Sequence, residues 1–318
     1  MNSEGHVVRT PEGIDLVSLY ELLSVIFPPD KPVFERLIRE GLSLYTWKPY
    51  TLYDGREILG NVSVFSFRIW HQGEELPLAG IASVATPLEH RRKGLARYLM
   101  NHVLEILDRE RRFAVLFTSL PEVYRRHGFQ PVPQYYWQTS ADRLAFSVRD
   151  GDVSLREQLS DGDLEIANAL YSGRCPAYEG KIVRDPGYWI MHQMLFNLFP
   201  KLHMALLRRG REPIGYVRLE LEPDRVLISE LCLDPSDEDA TLALLRYASD
   251  YARMNRRALM TLALPSQHFV WAVLRRKEVP LEPEMDPVEV RETFMARPAK
   301  GEDLGALSRL QWSLSDKF

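Results

Sequence analysis

The sequence predicts an α+β protein in which one arrangement of strands and helices occurs twice. In each half a turn leads into a strand, a second strand ends near a proline, and an amphipathic helix is followed by a buried strand. The first copy covers residues 56–118 and the second covers residues 211–264. Because the order of elements is the same in both halves, we expect two sheets flanked by helices rather than one large core.

The composition indicates an ordinary soluble enzyme. The chain has 318 residues, of which 45% are hydrophobic, and this suffices for two domains with cores of their own. A net charge of -4 gives no support to nucleic-acid binding, for which a basic domain is expected. No apolar run is long enough for a membrane helix and the N-terminus lacks a signal-peptide core, so we expect a cytoplasmic protein without membrane contact. We expect Cys175 and Cys232 to be small buried residues of the core.

The elements of the first copy follow from its apolar pattern. Strands are predicted at 61–70 and 81–86, and the second of them breaks at Pro87. Apolar residues recur at steps of three and one between Leu95 and Leu107, which predicts an amphipathic helix from about Gly94 to Glu110. The segment 113–118 carries no charge and therefore predicts a fully buried strand.

The turn between Pro87 and this helix has the features of an anion site. It contains Arg91, Arg92, Lys93 and a single glycine, Gly94. The amides at a helix N-terminus and the positive end of the helix dipole favour an anion. The glycine lets the backbone approach the anion closely, and the basic side chains add full charges around it.

The second copy repeats the order of elements with an acidic turn. Strands are predicted at 216–222, 226–233 and 258–264, with a helix between the last two. The turn from Asp234 to Ala240 contains four carboxylates, no glycine and no basic residue. Acidic side chains at a helix start satisfy the dipole and repel a pyrophosphate. We therefore expect the second copy not to bind coenzyme A.

Two motifs in the first copy carry a resemblance to a known family. The turn fits the pattern Arg91-x-x-Gly94-x-Ala96, and Tyr124, 30 residues after Gly94, is followed by Gly128-Phe129. With the order of strand, turn, helix and strand, these motifs resemble the acetyl-CoA-binding core of the GNAT superfamily of N-acetyltransferases. The resemblance implies two tandem GNAT-like modules, each a mixed, centrally splayed β-sheet flanked by helices. It also implies acetyl-CoA as co-substrate and no metal.

A tandem in which an active first GNAT module is followed by a degenerate second one resembles the enhanced intracellular survival (Eis) family of acetyltransferases. This resemblance implies a catalytic module at 1–145, a degenerate second module at 146–287 and a C-terminal tail at 288–318 that returns to the active site. Members of that family usually carry a third, sterol-carrier-like domain, but only 30 residues follow Val288. The family forms homo-oligomers, and the lack of the third domain weakens that inference for this chain.

The resemblance also assigns roles to residues. Tyr124 is the expected general acid, because a phenol is protonated at pH 7 and can protonate the departing thiolate. The strand before the turn has no carboxylate between Leu76 and Pro87, so the base is sought elsewhere. The terminal carboxylate of Phe318 is favoured, with His127 and water chains as alternatives. The expected cofactor contacts, mostly through the backbone, are Val84, Ala85, Thr86, Arg92, Lys93, Gly94, Leu95, Ala96, Arg97, Ser119 and Leu120.

The expected reaction is transfer of an acetyl group from acetyl-CoA to a primary amine of a small molecule or peptide by direct attack. The alternatives are a non-catalytic acyl-CoA sensor, in which Tyr124 is structural, and an interaction protein with both modules degenerate. The acceptor pocket is expected to involve residues 15–42 and 134–138. The net charge lends only feeble support to a cationic acceptor, and the sequence leaves the amine unidentified.

Overall fold

The residues that the structure describes form two seven-stranded mixed sheets, each flanked by helices. The structure is a computed structural model that describes residues 6–41, 46–71, 73–134, 136–148, 153–156, 161–175, 180–284 and 292–302. The two mixed sheets confirm the predicted α+β fold. Among the helices of these ranges, none has the length and apolar character needed to cross a bilayer.

The elements are numbered in chain order. The strands are β1 (His6–Arg9), β2 (Trp47–Asp54), β3 (Glu57–His71), β4 (Glu74–Ala85), β5 (Phe113–Thr118), β6 (Gln130–Pro131), β7 (Tyr136–Ser140), β8 (Val153–Arg156), β9 (Leu202–Arg209), β10 (Glu212–Leu221), β11 (Arg225–Leu233), β12 (Leu259–Leu262), β13 (Glu282–Glu284) and β14 (Thr293–Arg297). The helices are α1 (Leu16–Ile26), α2 (Lys31–Glu40), α3 (Leu95–Arg109), α4 (Pro121–Arg125), α5 (Asp161–Gly173), α6 (Pro186–Leu198), α7 (Glu238–Met254) and α8 (Val270–Arg276).

The predicted helix after the basic turn is α3, and it packs on the first sheet. Its apolar stripe includes Leu99, Val103 and Leu107, which are almost completely buried against residues of β2, β3, β4 and β5. This burial explains the observed period, because a helix hides one face on a sheet and leaves the other in water. The strand predicted at 113–118 is β5, and its buried side chains fit its lack of charge.

The strand order in each sheet does not follow the order of the chain. The first sheet is ordered β1-β2-β3-β4-β5-β14-β6, and the second is ordered β13-β7-β12-β11-β10-β9-β8. Thus β14, from near the chain end, lies between β5 and β6, while β7 pairs with β12 in the other sheet. The domain limits at 145 and 287 stay a prediction, and each sheet is completed by a strand distant in sequence.

Further contacts join the two halves. The segment 180–183 runs antiparallel to the end of β3, where the amide of Trp70 donates to the carbonyl of Lys181 (2.9 Å) and that of Val183 donates to the carbonyl of Arg68 (2.8 Å). On the same side, apolar side chains of α6 pack against the core formed by α1, α2 and β2. The two halves therefore share backbone pairing as well as apolar surface.

Candidate active site

The first sheet opens at its centre. Strands β4 and β5 run parallel and pair from Leu78 with Phe113 to Gly80 with Val115. Beyond this point β4 continues to Ala85 and β5 to Thr118, and the described residues show no further pair between them. Each strand keeps its outer neighbour, β3 or β14. The backbone groups that face the gap between β4 and β5 are thus available to a ligand.

A β-bulge shapes the β4 side of this gap. The register between β3 and β4 shifts by one residue near Ser83, and Ser83 adopts a φ of 47°, in the left-handed region. The side-chain amide of Asn61 donates to the carbonyl of Ser83 (3.0 Å) and to Ser63 Oγ (2.9 Å). The hydroxyl of Thr51 donates to Asn61 Oδ1 (3.0 Å). A strained backbone conformation persists only where surrounding contacts stabilise it, and here the hydrogen bonds of Asn61 and Thr51 stabilise the conformation of Ser83.

The turn after β4 presents exposed positive charge and uncapped amides. Residues 91–94 are exposed. Two of them are left-handed, Arg92 with φ 61° and Gly94 with φ 78°. Gly94 is the N-cap of α3, and within the described part of the chain no side-chain cap hydrogen bond is made at this helix start. Because the first four amides of a helix have no partner within it, they are ready to bind an anion. The turn therefore fits the pyrophosphate of coenzyme A.

The corresponding helix start in the second half is occupied by its own side chains. Asp237 is the N-cap of α7 and accepts a hydrogen bond from the amide of Ala240 (3.0 Å). The Asp237 carboxylate also pairs with Arg209 (2.9 Å), and Glu238 pairs with Arg276 and Lys277. A carboxylate thus takes the place that an anionic ligand would need.

The opening in the second sheet is also filled. Strands β11 and β12 pair in parallel as far as Ile228 and Leu262. Just beyond, Nε2 of the buried His268 lies 2.9 Å from the carbonyl of Leu231, and Glu230 forms a buried bidentate pair with Arg184 (2.7 and 2.9 Å). Burial lowers the pKa of His268 to about 4, so the imidazole is neutral and donates this hydrogen bond.

Tyr124 lies beside the gap in the first sheet, on α4. Its ring packs edge-on against Phe129, with ring centroids 6.1 Å apart, and the amide of Phe129 donates to the Tyr124 carbonyl (3.3 Å). Burial and, secondly, the charge of Glu292 raise the pKa of Tyr124 to about 12. The phenol is therefore protonated throughout the neutral range, as an acid must be before it acts.

His127, the alternative base, is half-buried. Its Nδ1 lies 3.0 Å from Oδ1 of Asn101, and because a carboxamide oxygen only accepts, Nδ1 carries the proton and Nε2 is the basic nitrogen. Burial, followed by the charges of Arg97 and Arg297, lowers the pKa of His127. The residue predicted as the more probable base, Phe318, lies outside the described residues.

The structure brings most of the predicted cofactor contacts to one end of the sheet. Because β4 and β5 are parallel, the residues that follow them lie at the same edge. Ser119 and Leu120 are exposed after β5, whereas Val84 and Thr86 are half-buried at the end of β4 and Ala85 is buried. Three more follow the turn in the first turn of α3, where one is buried and two are exposed: Leu95, Ala96 and Arg97.

One acidic residue beside the candidate site, Glu292, was not predicted from the sequence. Glu292 directly precedes β14, whose first residue, Thr293, pairs with Thr118 at the end of β5. Residues 288–318 were predicted to form a tail, and their sequence alone does not indicate a strand at this position, because the choice of a sheet partner depends on contacts with distant residues. The local signal was the short apolar run Phe294-Met295-Ala296 ahead of Pro298.

Comparison with known proteins agrees with this geometry. Residues 9–132 match the acetyltransferase (GNAT) domain. The chain is 30% identical over 221 residues to an uncharacterized N-acetyltransferase of Streptomyces avermitilis, a match that covers 63% of this chain and 52% of that protein. The chain thus spans about half the length of this relative.

Solved structures share the fold of nearly the whole chain. A conserved protein of unknown function from Enterococcus faecalis, a probable N-acyltransferase, superposes with a TM-score of 0.69 at 17% identity, covering 93% of this chain and 73% of its own. Eis1 from Mycobacterium abscessus gives 0.62 at 17% identity, covering 95% of this chain and 75% of its own. Residues 9–132 are therefore similar in sequence to the acetyltransferase (GNAT) domain, and nearly the whole chain shares the fold of these solved structures.

Proposed function

We propose that the protein transfers an acetyl group from acetyl-CoA to a primary amine of a small molecule or peptide by direct attack. The observation that carries the proposal is the gap between β4 and β5, which has the uncapped start of α3 on one side and Tyr124 on the other. An acetyl-CoA bound with its pyrophosphate at α3 would extend its thioester along this gap. Acetyl-CoA supplies the acyl group and the thiolate leaving group.

The proposed cofactor contacts divide by the part of coenzyme A that they face. The amides at the start of α3, including those of Leu95 and Ala96, bind the pyrophosphate, with Arg92, Lys93 and Arg97 adding charge. Gly94 allows the close approach. Backbone groups of Val84, Ala85 and Thr86 on one side of the gap, and of Ser119 and Leu120 on the other, hold the pantetheine arm and the thioester.

The chemical step places two demands on these residues. A primary amine has a pKa near 10.4, so its deprotonation at pH 7 costs about 4–5 kcal/mol. Attack on the thioester then makes an oxyanion, for which we assign the amide of Val84 as donor. As the C–S bond breaks, the thiolate takes the proton of Tyr124, and the phenolate takes the proton that the nitrogen loses. Because the phenol has a pKa of about 12, the two transfers must be closely coupled.

Two groups predicted from the sequence are candidates for the base that receives the first proton of the amine. One is the carboxylate of Phe318. The other is Nε2 of His127, which is held neutral with its lone pair available. Removal of the last five residues tests the first candidate, since activity unaffected by the truncation would exclude Phe318.

The second module takes a structural part in this proposal, and we place it at residues 146–287, after the catalytic module at 1–145 and before the tail at 288–318. Its helix start is capped by Asp237 and its sheet opening is bridged by His268. Both features support the view that acetyl-CoA binds once per chain.

The proposal is tested by thiol release from acetyl-CoA with a panel of primary amines, comparing the wild type with Tyr124→Phe. We expect Tyr124→Phe to lose about 10²–10⁴-fold in kcat while its affinity for acetyl-CoA, measured by calorimetry, is unchanged. Tyr98→Phe, on the exposed face of α3, is the matched control and should behave as wild type. Acetyl-CoA binding without thiol release for any amine would instead favour the sensor, and failure to bind would favour the interaction protein.

A further inference from the structure

Glu292 lies at the end of the first sheet at which the gap opens. In the antiparallel pair of β14 and β5, Thr293 is opposite Thr118, so Glu292 is the next residue outward and is level with Ser119. At this level β5 has already parted from β4. Because β14 flanks β5 on the side away from β4, Glu292 is across β5 from the gap, and its backbone stands beside the segment that leads from β5 to Tyr124.

The position of β14 is fixed by an ionic anchor. Arg297 donates two hydrogen bonds to the carboxylate of Asp108 on α3 (2.8 and 2.8 Å) and a third to the carbonyl of His127 (3.0 Å). The strand is thus tied to α3, the helix that starts at the basic turn, and to the turn that follows α4, the helix that carries Tyr124. Because Glu292 directly precedes β14, its backbone position is fixed by the sheet.

The side chain of Glu292 belongs to the same site as the phenol. Glu292 is half-buried, and its charge helps to raise the pKa of Tyr124. The turn after β4 exposes Arg92 and Lys93. The proposed site thus combines basic residues after β4, for the anionic cofactor, with a carboxylate whose charge acts on Tyr124, the proposed acid. A carboxylate binds an ammonium by charge-assisted hydrogen bonds.

We propose that Glu292 binds the ammonium group of a cationic primary amine and accepts a proton from it as the nitrogen attacks the thioester. The inference rests on the proposed function and assigns to Glu292 the part for which Phe318 and His127 were candidates. It also names the acceptor class: amines that are protonated at neutral pH, such as alkyl diamines.

The proposed reaction removes two protons from the nitrogen and adds one to the sulfur. One N–H proton of the ammonium passes to Glu292, and the freed electron pair forms the C–N bond to the acyl carbon. The C–S bond breaks, and the sulfur takes the proton of Tyr124. The tyrosinate then takes a second proton from the nitrogen, and the protonated Glu292 releases its proton to water. The products are the acetamide, free coenzyme A and one proton.

The test compares two acceptors, 1,4-diaminobutane, which is cationic at pH 7, and aniline, which is neutral there and needs no base. Glu292→Gln should lower kcat/KM for diaminobutane about 100-fold and leave kcat/KM for aniline and the affinity for acetyl-CoA unchanged. Glu292→Asp should recover part of the loss. Glu302→Gln, on an exposed residue of the same segment, is the matched control and should behave as wild type. Equal losses for both amines, or no loss, would overturn the proposal.

Two further measurements do not depend on turnover. Calorimetry of diaminobutane with the complex of protein and coenzyme A should show weaker binding for Glu292→Gln than for wild type. The absorbance titration of Tyr124, obtained by difference from Tyr124→Phe, should shift to lower pH in Glu292→Gln, because a negative charge is removed from beside the phenol. If the wild type acetylated neither amine, the proposed function would fail, and unchanged results in these two measurements would overturn the role of Glu292 separately.

Discussion

At the residue scale, the β4 side of the gap depends on a serine in a backbone conformation that usually requires glycine. Ser83 has a φ of 47°, which costs on the order of 1–3 kcal/mol for a residue with a side chain. Asn61 compensates by donating a hydrogen bond to the Ser83 carbonyl from a fully buried position. The bulge directly precedes Val84, whose amide is the proposed oxyanion donor, so we expect the contacts of Asn61 to affect the proposed chemistry.

Asn61→Leu removes this donor and keeps the number and branching of the side-chain heavy atoms. The Ser83 carbonyl loses its partner, so we expect the free energy of unfolding to fall by about 1–3 kcal/mol. We also expect kcat for acetyl transfer to fall, because the amide of Val84, the proposed donor, no longer points at the oxyanion. Urea unfolding and the thiol-release assay measure the two effects. Thr51→Val is the matched control, since it removes only the hydrogen bond to Asn61 Oδ1. It should lose stability and retain kcat; a wild-type kcat in Asn61→Leu would refute the link.

At the element scale, the starts of α3 and α7 show how the same order of elements can favour or exclude anion binding. Both helices follow a strand and a turn, but α3 begins at a bare glycine and α7 at a capping aspartate. The difference lies in which group satisfies the first amides of the helix. In α7 the chain supplies a carboxylate from within, whereas in α3 the cofactor would supply a phosphate.

Gly94→Glu should therefore abolish acetyl-CoA binding while the fold survives. The new carboxylate would lie at the start of α3, cap its amides and repel the pyrophosphate. Calorimetry should show one bound acetyl-CoA per chain in wild type and none in the variant. The control is Gly210→Glu, which places the same side chain at a glycine of positive φ (59°) with open space around its Cβ. Binding lost in Gly210→Glu as well would mean that backbone strain, not charge, is responsible.

Local pattern decided which elements the sequence could predict. The helix expected from about Gly94 to Glu110 is α3 (Leu95–Arg109), and the strand expected at 113–118 is β5. Both carry a strong local signal, a period for the helix and an uncharged run for the strand. The strand β14 was not predicted, because its pairing with β5 depends on contacts across the whole chain. The positions of Tyr124 and the basic turn were predictable, while that of Glu292 was not.

At the scale of the whole molecule, the ion pair of Asp108 and Arg297 connects α3 to β14, two elements that are far apart in the sequence. The two side chains are mostly buried, with exposed fractions of 18% and 14%. Hydrogen bonds from Arg297 lower the pKa of Asp108. The ionised form is therefore favoured by folding, and the pair stabilises the fold at every pH at which Asp108 is charged.

Asp108→Asn should lower the free energy of unfolding at pH 7 by about 2 kcal/mol. A lowered carboxyl pKa contributes stability above its unfolded value, about 3.9, and loses it as the pH falls through the folded value. The difference between wild type and variant should thus be constant near neutrality and narrow below about pH 4. Chemical unfolding at several pH values measures it. Asp250→Asn, in an exposed pair with Arg253, should change stability by less than about 1 kcal/mol. A pH-independent difference for Asp108→Asn would contradict the assignment.

The position of β14 also orders events in the life of the chain. A ribosome delivers β4, β5 and Tyr124 first, but β14, the outer neighbour of β5, is complete only after residue 297 has been made. Until then β5 presents an unpaired apolar edge, the kind of surface on which nascent chains aggregate. The proposed catalytic site would form only after β14 has been made, so a chain terminated before residue 293 would remain inactive although it keeps the whole turn proposed to bind acetyl-CoA.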